Sequence, residues 1–132
     1  MVTREDVDRW WSDCAGGRCS AFEASEWAEQ WLGGNWEELV IQGLLALQGV
    51  RHSGLPEDAL RARMASALAV WQQELRRYDA DPDAWMRAYF RRMLINFAEQ
   101  HGAERARAFG SKLVASGQLR DADVGTALRD LQ

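Results

Sequence analysis

Leu60-Arg61-Ala62-Arg63-Met64-Ala65-Ser66-Ala67-Leu68-Ala69-Val70-Trp71-Gln72-Gln73-Glu74-Leu75-Arg76-Arg77-Tyr78 is the stretch on which the fold turns. Its large apolar residues Leu60, Met64, Leu68, Trp71, Leu75 and Tyr78 recur at spacings of 4, 4, 3, 4 and 3. That rhythm is the stripe of an amphipathic helix, and it has no period-two component. Pro56, with Glu57 and Asp58 beside it, starts the helix and sets acids against the positive end of its dipole. The segment predicts a helix of some 23 residues, about 34 Å long at 1.5 Å per residue.

The same grammar extends in both directions. Thr3 with Asp6 and Ser20 with Glu23 are two capping boxes, each satisfying orphan N–H groups at a helix start. The first predicts a helix to about Ser12, with Val7, Trp10 and Trp11 apolar, and a Gly-containing break at 14–19. The second predicts a helix to Leu32 with an apolar line of Ala24, Trp27, Ala28 and Trp31, stopped by Gly33 and Gly34. Asn35 is the expected cap of a third helix, Trp36 to Gln48. Its stripe is Leu39, Val40, Leu44 and Leu47, broadened by Ile41 and Leu45.

Beyond the central helix, Asp81-Pro82-Asp83 repeats the start signal ahead of Trp85, Met86, Tyr89, Phe90, Met93, Leu94 and Phe97. Gly102 punctuates. A sixth helix follows to Ser116, with Ala106, Phe109 and Leu113 inward and Gly110 at a close crossing. Asp121 is the expected cap of a last helix carrying Val124, Leu128 and Leu131. No hairpin signal appears. The chain reads as all-α, an irregular bundle of six to seven helices forming a single domain over 1–132, with a candidate seam near 49–55.

Composition narrows the class. A hydrophobic fraction of 47% with 27% charged residues suits a folded domain rather than a disordered one. No apolar run approaches the roughly 20 residues of a membrane span, and the acidic start Glu5-Asp6 does not resemble a secretory signal. A cytoplasmic protein is expected, with no membrane partner. Cys14 and Cys19 are then free thiols. Zinc needs about four ligands, and the two histidines, His52 and His101, lie far off in sequence. No metal, cofactor, catalytic or phosphate-binding motif emerges, so no enzyme is expected.

Charge and aromatics do point somewhere. Residues 1–50 hold three basic and nine acidic side chains, whereas 51–132 hold thirteen basic and eleven acidic. Five of seven tryptophans fall before Leu39, interleaved with Glu23, Glu26, Glu29, Glu37 and Glu38. Tryptophan is enriched at binding hot spots, and carboxylates steer basic partners. Ordinary core packing is the competing explanation, strongest for Trp71, Trp85, Trp27 and Trp31. At most one of the adjacent Trp10 and Trp11 is expected to be deeply buried, and Trp36 is the tryptophan expected to be partly exposed.

The layout Thr3 to Trp11, then Glu23-Ala24-Ser25-Glu26-Trp27-Ala28-Glu29-Gln30-Trp31, then Leu39 to Gly49, resembles small helical bacterial immunity or antitoxin proteins of toxin systems. The resemblance covers the first 50 residues. It implies occlusion of a basic, nuclease-like toxin domain. Glu23, Glu26, Glu29, Glu37 and Glu38 would meet its basic residues, and Trp36 would be the apolar anchor. One alternative is a DNA-binding regulator using Arg87, Arg91, Arg92, Arg105 and Arg107 on the fifth and sixth helices. Another is a small-ligand or enzymatic bundle with a pocket among Trp71, Trp85, Tyr89 and Phe97.

Overall fold

The computed structural model describes residues 1–129. Among them are seven α-helices and no strand: α1 (Arg4–Ala15), α2 (Ala21–Trp31), α3 (Glu38–Gln48), α4 (Glu57–Ala80), α5 (Pro82–His101), α6 (Ala103–Ala115) and α7 (Asp121–Leu128). A single 3-10 turn, Val50–His52, follows α3. The protein is all-α. Two compact units divide the chain, Met1–Arg76 and Arg77–Gln132, so the division falls within α4 and the 49–55 loop lies inside the first unit. No described helix is long and apolar enough to cross a membrane.

Local signals place most boundaries. The Thr3 hydroxyl accepts from the Asp6 N–H, and the Asp6 carboxylate accepts from the Thr3 N–H at 3.0 Å. Ser20 and Glu23 form the same reciprocal pair. Asp81 caps α5 through the Ala84 N–H. α1 runs on to Ala15 rather than stopping near Ser12, so Cys14 sits on its buried face. The reversal waits for Gly17, at φ +77°.

Two caps fall elsewhere than expected. α3 begins at Glu38, not behind Asn35. The intervening Trp36 turns back, its indole N–H donating to the Trp31 carbonyl at 2.7 Å, which takes it out of a helical first turn. At α7 the capped residue is Arg120, whose N–H donates to the Asp123 carboxylate at 3.0 Å, while Asp121 is the first helical residue. The expected apolar contact of Leu131, and Asp130 beside it, lie outside the described residues.

The first unit is built around α3, which packs on α1 and α2. Leu39, Val40, Leu44 and Leu47 are buried as the periodicity predicts, but Leu45 is 53% exposed and does not join the stripe. Six tryptophans pair in this unit: Trp10 with Trp27, Trp11 with Trp71, and Trp31 with Trp36. Trp11 and Trp71 are the buried pair, stacked at 5.5 Å. Each also reaches a backbone carbonyl, Trp11 donating to Met64 and Trp71 to Leu39, at 3.0 and 2.8 Å. Trp10, Trp27 and Trp31 are half-buried. The innermost residues of α2 are small instead: Ala24, Ser25 and Ala28. Ser25 is fully buried and donates to the Gln48 carbonyl at 2.6 Å.

In the second unit α5, α6 and α7 pack pairwise around Leu94, Ala106, Leu113, Leu119 and Leu128. Gly110 sits at the expected close crossing. A Cβ there would lie 2.7 Å from Val124 Cγ1 on α7.

Gly43 makes the corresponding approach in the first unit. A Cβ on it would stand 2.7 Å from Val7 and 3.0 Å from the Trp71 ring. Gly125, inside α7, has nothing within 4 Å of that position. Gly43→Ala should therefore destabilise by about 1–3 kcal/mol through overpacking. Gly125→Ala should stabilise by about 0.5–1 kcal/mol through helix propensity. Urea unfolding midpoints check both signs.

Candidate functional site

The acidic residues of the N-terminal third have unequal partners. Glu23 is held by the Ser20 cap. Glu29 pairs with Arg51 at 3.1 Å, and Glu37 takes both Nε and a terminal nitrogen of Arg4. Glu26 and Glu38 have neither a hydrogen bond nor an ion pair among the described residues. Part of the acidic set therefore answers the chain's own arginines, and Glu26 stands free in solvent.

Trp36 is half-buried, its ring edge-on to Trp31 at 5.9 Å and its N–H already bonded. The fold uses it. The Trp31 N–H beside it is enclosed with no acceptor among the described residues. Of the exposed large apolar side chains, Met1, Phe22, Leu45, Leu55 and Val70, the aromatic one is Phe22, 58% exposed. Helical spacing aligns Phe22 with Glu26 and Glu29, four and seven residues on, with Glu23 flanking. Arg51 lies 5.9 Å over the Phe22 ring, so one guanidinium braces both the aromatic and Glu29. Sequence reading passed Phe22 over because it sits off the apolar line of α2, yet that offset is the signal of an exposed aromatic.

The first unit carries twelve acidic and seven basic side chains, the second eight and nine. Arg87, Arg91, Arg92, Arg105 and Arg107 form no ion pair among the described residues. Arg107 and Arg129 line one hollow of about 390 Å³ with Val124, Gly125 and Leu128. Trp71 belongs to the first unit's core, Trp85 stacks on Tyr89, and Phe97 packs on His101 and Phe109. No three of His, Cys, Asp and Glu gather into a metal-binding group among the described residues.

Both cysteines are free thiols. Burial pushes the Cys14 thiol up, and burial with the neighbouring Cys14 and Asp13 pushes Cys19 up to about 11. Such thiols are poor nucleophiles at neutral pH. Comparison with known families, curated proteins and solved structures returned no match to the chain.

The raised thiol pKa values have a signed consequence. The folded chain holds these protons more tightly than the unfolded one, so their contribution is intact below the ordinary thiol pKa near 8.5. It is lost as pH rises through about 11. Thermal midpoints should fall over that window, and less steeply in Cys19→Ala. Iodoacetamide should label the native protein slowly at neutral pH.

Proposed function

We propose that this chain is a non-enzymatic, cytoplasmic protein-binding module of the immunity type, which occludes a basic toxin-like domain with the α2 face of its first unit. The observation that carries the reading is Phe22, 58% exposed and in line with Glu26 and Glu29. An aromatic left in water is an anchor for a partner's pocket, and surrounding carboxylates exclude wrong partners and speed encounter. The excess of twelve acids over seven bases in this unit supports a basic partner. Phe22 replaces Trp36 as the anchor in this reading, because Trp36 is already spent on Trp31. Glu26 supplies the uncommitted charge, and Glu29 is available by exchange with Arg51.

Phe22→Ala and Glu26→Lys test it, and both positions are exposed, so helicity should persist. The tagged chain should retain one stoichiometric basic protein from native lysate. Either substitution should weaken that complex at least tenfold, as circular dichroism stays unchanged. Equal retention by both variants rejects the α2 face.

The arginines favour a second reading, a polyanion-binding function of the second unit. Arg107 and Arg129 flank one hollow between α6 and α7, and neither forms an ion pair among the described residues. If a duplex binds there, affinity should drop steeply between about 50 and 200 mM salt through counterion release. Fluorescence anisotropy with a short labelled duplex decides it, and no binding at low salt removes this reading.

A further inference from the structure

The first unit contains a groove that neither the acidic face nor the arginines use. It is a cavity of about 360 Å³ between the end of α3, the 3-10 turn and the first half of α4. Leu45, Val50, Leu60, Met64 and Trp11 supply its apolar lining. Its size lies at the lower end of small-molecule sites, roughly 300–1,000 Å³. The lining along α4 runs from Leu60 to Ala67, about 10 Å at 1.5 Å per residue.

Three observations specify an occupant. Leu45 is 53% exposed at this groove, although its neighbours Leu44 and Leu47 are fully buried, so apolar surface is held open to water here. The one indole N–H on the lining, that of Trp11, is already given to the Met64 carbonyl, which leaves the floor with apolar contact to offer. The only charged lining residue is Arg63, exposed and without an ion pair among the described residues. None of the unit's twelve carboxylates lines the groove.

We propose that this groove binds a medium-chain fatty-acid anion, with its acyl chain along Leu45, Val50, Leu60 and Met64 and its carboxylate on Arg63. Leu45, Val50, Leu60 and Met64 select a hydrocarbon body, and the guanidinium of Arg63, with the Ser53 hydroxyl also on the lining, selects one anionic head. Arg63 is the one charged side chain of the lining, so it sets the sign of the head group.

Calorimetric titration with decanoate, well below its micelle concentration, tests the assignment, with hexanoate and decanol as companions. Decanoate should bind one-to-one, and at least tenfold tighter than hexanoate, because four more methylenes are buried. Arg63→Glu should weaken decanoate at least fivefold while leaving decanol unchanged, since only the charged head is lost. Ala67→Trp, at an exposed position of the lining, should block both ligands and leave helicity intact. The absence of saturable decanoate binding overturns the proposal. Undiminished binding in Ala67→Trp overturns the location, and parallel loss of decanoate and decanol in Arg63→Glu overturns the anionic head. Because Phe22 and Glu26 lie outside the groove lining, a failed toxin-type interaction would leave these outcomes unaffected.

Discussion

Trp11 and Trp71 hold the first unit together, and they do so as a mutual constraint. Their rings stack at 5.5 Å, and their N–H groups reach backward into different helices, Trp11 to α4 and Trp71 to α3. A buried indole N–H left unpaired would cost on the order of 1–3 kcal/mol, so each ring is fixed in orientation as well as in depth. The stack requires α3 to come close, and Gly43 is what permits it, with Val7 and Trp71 occupying the space a methyl would take. Once those three helices are locked, α2 has a defined surface to meet. It closes on α3 through small residues, Ala24, Ser25 and Ala28, and the Ser25 hydroxyl ties it to the end of α3.

That close approach decides what α2 can show to solvent. A helix packed through alanine and serine has little room between it and its neighbour, so its larger residues are displaced to the flanks. Trp27 and Trp31 find aromatic partners there, Trp10 and Trp36. Phe22, nearer the start of α2, has the Arg51 guanidinium over its face. Exposed cation–π and ion-pair contacts are worth about 1 kcal/mol or less, so Arg51 braces Phe22 and Glu29 without withholding them from a partner. Glu37, gripped by Arg4 from a different helix, is the least available of the acids.

Much of this was legible before any coordinates. Helix number and type followed from apolar spacing and from the capping pairs Thr3/Asp6 and Ser20/Glu23, because both are properties of adjacent residues. What escaped depended on contacts between residues far apart. Asn35 is as good a local cap as any, and it lost to a hydrogen bond that draws Trp36 back to Trp31. Nothing adjacent in sequence marks Gly43, whose role depends on Val7 and Trp71 closing over it. Leu45 fitted the stripe by spacing but faces a groove, since the stripe of α3 is narrower than its apolar content. The candidate site was half legible: its acids were evident, while their division between capping, internal pairing and freedom was not.

The tryptophan enrichment illustrates why composition alone misleads about binding. Tryptophan is favoured at interfaces and in cores for the same reason, a large apolar area joined to one donor. The two uses separate only when the donors are traced. Trp11, Trp36 and Trp71 each give their N–H to a backbone carbonyl within the chain, which commits both the ring and its polar handle. Phenylalanine has no such handle to commit. An exposed phenylalanine beside free carboxylate therefore carries more information about a partner than six paired tryptophans do. On that argument the face proposed for a protein partner is the outer edge of α2, which the tryptophan pairs Trp10–Trp27 and Trp31–Trp36 hold in place.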